Sequence, residues 1–177
     1  RGAYIATNVN HRYYDSEDFD PFWAKAQELD VLVFMHPDNA AGTELMGAYG
    51  LRLVCGNPAD TTLSLGILIY SGVFDRFPDL KLCTCHGGGF FPYHVSRFDR
   101  EYLTGKQATR RADRPNAPRC ADVPSAYFKN LYFDTLVYDV ETLDFLRRKV
   151  GADHLMLGTD FPYLLGDWQC VDKVEAM

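Results

Sequence analysis

Apolar runs separated by polar, glycine-rich breaks divide the chain into alternating short and long units. Residues 2–10 read as a strand, and Asp20-Pro21 then opens a helix with Asp20 as N-cap and proline at the first helical position. Phe22, Ala26 and Leu29 follow at i, i+4 and i+7 and mark the apolar face of that helix. Val31-Leu32-Val33-Phe34-Met35-His36-Pro37 is almost continuously apolar, the character of a strand covered on both faces of a parallel sheet. Residues 61–74 are apolar nearly all round (Leu63, Leu65, Ile67, Leu68, Ile69, Val73). A helix of that kind is buried on more than one side, by neighbouring helices or by a second subunit. Residues 80–85 form a further buried strand that runs into His86 and three glycines, and residues 92–100 a helix with Phe91, Val95 and Phe98 inward. Residues 130–135 are a strand; Asp139 caps a helix that carries Leu143, Leu146 and Val150 on one face and stops at Gly151. Residues 154–160 are a last strand ending in a carboxylate, followed by the start of another loop and helix.

Between Arg100 and Asn116 the periodicity fades and charge rises, through Arg100, Lys106, Arg110, Arg111 and Arg114, with Pro115 close behind. This predicts a solvated loop, or an arm that reaches an anionic substrate or a neighbouring subunit. The element order is β, α, β, α, β, α, β, α, β without a linker. Repeated βα units with apolar strands predict a single α/β domain, a parallel sheet and right-handed crossovers.

Composition narrows the partners rather than the fold. A net charge of −6 argues against nucleic acid as partner, because such surfaces are basic. No apolar run reaches the roughly 20 residues that cross a bilayer. Five cysteines at irregular spacing, with no CxxC, read as reduced and mostly buried thiols, which points to a cytoplasmic protein.

Polar groups stand at the C-terminal ends of three strands: His36, His86 and Asp160. Doubly wound sheets and (β/α)8 barrels both keep their chemistry at that edge. Two histidines and an aspartate suit a borderline cation such as zinc, which lowers the pKa of a bound water beside a neutral histidine base. Strand alternation puts Leu82, Thr84 and His86 on one face, and Cys83 and Cys85 on the other, beneath a helix. Three glycines after His86 would leave room for a substrate. Asp134, near a strand end on the face of Tyr132, reads as a turn cap or a supporting group; His11, His94 and His154 read as surface or capping residues. Two other uses of the glycine run fail on the residues. A lipase-like oxyanion loop needs a downstream Gly-x-Ser-x-Gly, which is absent, and Gly87-Gly88-Gly89-Phe90-Phe91-Pro92 misses the last glycine of a dinucleotide fingerprint.

Four segments in order resemble one family. Phe34-Met35-His36-Pro37, Gly72-Val73-Phe74-Asp75-Arg76-Phe77-Pro78-Asp79-Leu80-Lys81, His86-Gly87-Gly88-Gly89 and Leu157-Gly158-Thr159-Asp160-Phe161-Pro162 are similar to the amidohydrolase-related family. Within it the chain looks most like the aminocarboxymuconate-semialdehyde decarboxylase branch, which also holds hydroxybenzoate-type decarboxylases. The resemblance implies a (β/α)8 barrel with one divalent metal, zinc or manganese, at its C-terminal face. It places His36 and Asp160 as metal ligands on the fifth and eighth strands, and His86 as the acid/base beside the metal. Arg97 falls on an arginine that binds a substrate carboxylate across a homodimer interface.

The family's first strand carries a His-x-His pair, and no His-x-His occurs in this sequence. Counting back from Asp160 makes the first strand here the fourth, so the expectation is the C-terminal portion of a barrel, about strands 4–8, poorly active by itself. His36-Pro37 leads into Asp38-Asn39-Ala40 where the semialdehyde decarboxylase has Trp-Asp-Met, so the resemblance does not carry the semialdehyde over as substrate. The function expected is decarboxylation or hydrolysis of a small aromatic or unsaturated carboxylic acid. The alternative is a catalytically incomplete piece that binds or assembles through residues 61–74.

Overall fold

A computed structural model describes residues 2–40, 42–107 and 117–177. Five strands form one parallel sheet: β1 (Gly2–Ala6), β2 (Leu32–His36), β3 (Lys81–Thr84), β4 (Leu131–Asp134) and β5 (Leu155–Met156). Their spatial order is their sequence order. A doubly wound sheet reverses its order at a switch point; an unreversed parallel series is the arc of a barrel. The expected barrel portion is thus the observed architecture. Charged residues 110, 111, 114 and Pro115 of the expected arm lie outside the described residues. Among those described, no helix is long and apolar enough to cross a membrane.

The register fixes which side chains share a face. Tyr4 pairs with Phe34, Phe34 with Cys83 and Cys83 with Tyr132. This row lines the concave side, where Tyr4 is 62% exposed. The alternate row, Met35, Thr84 and Phe133, is wholly buried against the helices. Core residues therefore come from the convex side: Val33, Met35, Leu82, Leu131 and Phe133 with Trp23, Leu65, Leu68, Ile69, Phe91 and Leu146. The expected facing of the cysteines is reversed. Leu82 and Thr84 lie beneath the helices, and Cys83 looks into the concave side, followed by Cys85. His86 escapes the alternation because β3 ends at Thr84 and His86 itself is left-handed, at φ +55°.

α1 (Asp20–Glu28) begins one residue earlier than its sequence signal: Phe19, not Asp20, is its N-cap, and a short 3₁₀ turn capped by Ser16 feeds it. Asp20 instead holds Arg76 in a two-pronged pair at 2.9 and 3.0 Å. The inward face is Trp23 and Ala26; Leu29 is 60% exposed, so the expected face is displaced by one residue. α2 (Asn57–Tyr70) starts with a π-helical turn over Arg52–Gly56 and stops at Ser71-Gly72, where α3 (Val73–Arg76) takes over. Leu65, Leu68 and Ile69 of α2 are buried within the chain, and its polar side is too. Asp60 accepts from Thr7, from Asn8 Nδ2 (3.1 Å) and from Tyr13 OH (2.5 Å), which fastens the loop after β1 to α2.

α4 (Phe91–Gln107) turns Phe91 and Val95 inward as expected and runs through residues 101–107, where a loop was expected. α5 (Val140–Val150) has the expected Asp139 cap, which accepts from Thr142 N at 2.8 Å, with Leu143 and Leu146 buried. α6 (Cys170–Glu175) follows β5 after a loop.

Between β3 and α4 the backbone holds four residues of positive φ in succession, His86 to Gly89, at 55°, 58°, 79° and 62°. A Cβ on Gly87 would strike Val137, one on Gly88 the Phe133 ring at 2.5 Å, and one on Gly89 the Pro58 carbonyl. The glycines do not leave room for a substrate, since the chain itself fills that space. Gly89→Ala should cost about 2–4 kcal/mol, from the left-handed penalty plus overpacking against backbone. Urea unfolding checks this, and a midpoint equal to wild type would refute it.

Candidate active site

Three of the five strands deliver one group each to the same point. His36 is the last residue of β2, His86 the second residue after β3, and Asp160 lies four residues beyond β5. The expected strand over residues 154–160 is only two residues long. Asp160 is held in a loop, left-handed at φ +56°, with its carbonyl accepting from Tyr163 N at 2.8 Å. Gly158 allows the approach, for a Cβ there would sit 2.7 Å from Asp134 Cβ.

The three expected groups meet. His36 Nε2 is 3.2 Å from Asp160 Oδ1, His86 Nε2 is 3.7 Å from Asp160 Oδ2, and the imidazole centroids are 5.0 Å apart. The Tyr163 ring stacks on His36 at 5.6 Å and 8°. Cys85, which alternation sent away, is also here: its Sγ lies 3.2 Å from His86 Nδ1, and one donor atom each of His36, Cys85 and His86 fall within 4.8 Å of one another. Periodicity could not reveal Cys85 or Tyr163, because both depend on where the strands end. Arg97 is not brought to this cluster; it is exposed on α4. His11 and His94 are exposed, and His154 is spent on the Leu131 carbonyl at 2.7 Å and the Tyr132 ring.

Burial dominates the electrostatics. It lowers the His86 pKa to about 4, helped by His36 and opposed by Asp160, so the ring is neutral at neutral pH. Burial holds Cys85 well above the usual thiol range. A thiol that keeps its proton donates to Nδ1, which leaves the imidazole proton on Nε2, facing Asp160. Beneath the cluster Asp134, fully buried, is pushed up to about 6 by desolvation, while the amides of Gly87, Leu136 and His86 pull it down. Its Oδ1 accepts from Gly87 N at 2.9 Å and Leu136 N at 3.1 Å, so it both caps its own turn and pins the loop that carries His86.

The donor set fits a divalent cation. Two ligands on a tetrahedral ion at 2.0–2.1 Å stand about 3.3 Å apart, close to the His36–Asp160 separation of 3.2 Å. Imidazole nitrogen and carboxylate oxygen suit zinc and manganese alike.

A family model described as amidohydrolase matches residues 1–176. The chain belongs to the amidohydrolase family. It is 35% identical to the 2-amino-3-carboxymuconate-6-semialdehyde decarboxylase of Dictyostelium discoideum, over 99% of this chain and 47% of that protein. Among solved structures it is similar to the 5-carboxyvanillate decarboxylase of Novosphingobium aromaticivorans in complex with manganese and 4-hydroxy-3-methoxy-5-nitrobenzoic acid, with TM-score 0.84 and 26% identity. That match covers 98% of this chain and 50% of the other. The dihydroxybenzoic acid decarboxylase of a Polaromonas species, with bound manganese and 2-nitroresorcinol, superposes with TM-score 0.77 at 25% identity, over 93% and 49% of the two chains. The chain spans about half the length of the amidohydrolase relatives it matches.

Asp134 and His86 titrate in one pH window with opposite signs. Asp134 is raised above its ordinary 3.8, so its contribution is present below pH 4 and lost as pH rises through 6. His86 is lowered from 6.5 to about 4, so its contribution grows as pH rises from 4 to 6.5. At about 1.4 kcal/mol per pH unit, each is on the order of 3 kcal/mol, and they offset one another. Asp134→Asn keeps the acceptor for Gly87 and removes one of the two. Its stability should rise by on the order of 3 kcal/mol between pH 4 and 6.5, while wild type stays nearly flat; urea midpoints across that range test this.

Proposed function

We propose that this chain carries the part of a metal-dependent decarboxylase that binds the metal and moves the proton, acting on small aromatic or unsaturated carboxylic acids. The observation that supports it is the convergence of His36, His86 and Asp160 from the ends of β2, β3 and β5, with His86 neutral in a buried setting. His36 and Asp160 hold the divalent ion. When bound, that ion supplies positive charge for the substrate's carboxylate and neighbouring oxygen. Manganese is the ion in the two solved relatives, and zinc suits the same donors.

Decarboxylation breaks the bond to the carboxylate carbon, releases CO2 and puts a proton on the carbon left behind. His86 is the group placed to handle that proton, with Cys85 setting its tautomer and Asp134 holding its loop. Hydrolysis would draw on the same groups; the decarboxylases among the relatives favour the first reaction. Arg97 lies on the outer side of α4, away from its own chain's cluster, and serves a carboxylate in the site of a second copy in a homodimer. The remaining ligands and strands belong to the enzyme that contains this chain. Its five cysteines are all free, in keeping with a cytoplasmic setting.

In that enzyme, His86→Ala should retain the metal and lose CO2 release by about 10²–10⁴-fold, the contribution of a positioned acid/base. His36→Ala and Asp160→Ala should lose the metal itself. Elemental analysis beside CO2 release separates the two; turnover surviving in His86→Ala would remove that residue from the mechanism.

A further inference from the structure

Neighbouring residues on a strand face opposite ways, so a cysteine and a histidine in succession do not ordinarily share a ligand. Cys85 and His86 follow the end of β3, and His86 leaves it with positive φ. Cys85 Sγ thereby comes within 3.2 Å of His86 Nδ1. His36 closes the group, since one donor atom from each of the three lies within 4.8 Å of the others.

Three further features of the trio suit a soft cation. The imidazole proton on His86 Nε2 leaves the Nδ1 lone pair aimed at Cys85 Sγ, where the thiol proton sits. Sulfur and nitrogen on a tetrahedral zinc stand about 3.5 Å apart, so exchanging that proton for the ion widens the pair by only a few tenths of an ångström. Cys85 and His36 line a cavity of about 480 Å³ on the concave side, and His36 and His86 line a second of about 450 Å³. The trio stands in the wall between them, which gives an ion its way in. Across both cavities three carboxylates, Asp38, Asp134 and Asp160, accompany one guanidinium, Arg52, and that balance favours a cation. A divalent ion on two imidazoles and one thiolate keeps a single positive charge. Asp160, at 3.2 and 3.7 Å from the two rings, cancels it, and its Oδ2 faces the free Nε2–H of His86, as carboxylates behind metal-bound histidines do.

We propose that His36, Cys85 and His86 form a thiolate site for zinc, distinct in its ligands from the His36 and Asp160 pair that holds the catalytic ion. Binding breaks the S–H bond of Cys85, passes its proton to solvent and gives the sulfur electron pair to zinc, with both imidazoles and a water completing four ligands. The thiolate separates the metals: sulfur favours zinc, whereas manganese keeps to oxygen donors. Both arrangements draw on His36, so each excludes the other, and zinc on Cys85 displaces the catalytic ion.

Titration of the reduced full chain with cobalt and zinc chlorides tests the assignment. Wild type should bind cobalt with a near-ultraviolet thiolate-to-cobalt absorption, which zinc then abolishes by displacement. Cys85→Ser should lose that absorption and bind zinc at least about 100-fold more weakly, beyond the cost of losing a supporting residue. Cys83→Ser and Asp160→Asn should keep the absorption, since neither residue is a ligand in this arrangement. Zinc-edge X-ray absorption of the wild-type chain needs no variant: it should show one sulfur at about 2.3 Å beside nitrogen at about 2.0–2.1 Å. A shell of nitrogen and oxygen alone, an absorption that survives in Cys85→Ser, or no zinc bound would each overturn the proposal. CO2 release by the complete enzyme loaded with manganese is a separate readout. Its absence would overturn the decarboxylase reading and leave the zinc site standing.

Discussion

The site depends on a single carboxylate buried beneath it. Asp134 ends β4 on the concave side and accepts from Gly87 N, so the turn after β3 is fastened to the neighbouring strand and not only to its own. Four successive residues of positive φ would not persist unsupported. Val137, Phe133 and the Pro58 carbonyl close around the glycines from three directions, so the turn has one conformation available. That conformation swings His86 out of strand phase and over the sheet edge towards Asp160 and His36. Replacing the glycines would disturb the fold before it disturbed any substrate.

The same burial sets the chemistry. The Asp134 carboxylate and the His86 imidazole are both buried, and desolvation pushes each towards its neutral form. Their opposite pH responses let the fold carry an apolar-embedded site without a steep net dependence on acidity. Cys85, kept as a thiol, completes the arrangement by giving His86 a hydrogen-bond donor that carries no charge.

Much of this was readable in the residues, and the failures share one cause. Element order, the parallel sheet, the Asp139 cap and the three strand-end groups follow from apolar periodicity and helix-stop signals, which are local. The errors fall where an element ends. Alternation holds only as far as Thr84, and extending it to His86 puts the cysteines on the wrong face. The α1 face was set one residue off because Phe22, Trp23, Ala26 and Leu29 offer two apolar stripes, and the contact of Trp23 with Tyr14 selects between them. Residues 101–107 looked like loop because their charges mask a helix whose inner side needs only Tyr102. The π-turn over Arg52–Gly56 gives no signal, since such a turn has no sequence period of its own.

The sheet's two faces show how a partial arc can still hold a site. The convex face is sealed by helices and supplies the core, while the concave face keeps Tyr4 and Met156 open. In a barrel the strand ends are positioned by their own crossover helices as much as by closure of the ring. β2 is locked by α1 and α2, β3 by its glycine turn against Pro58, and β5 through the close approach of Gly158 to Asp134. His36, His86 and Asp160 therefore meet through contacts made wholly inside this chain.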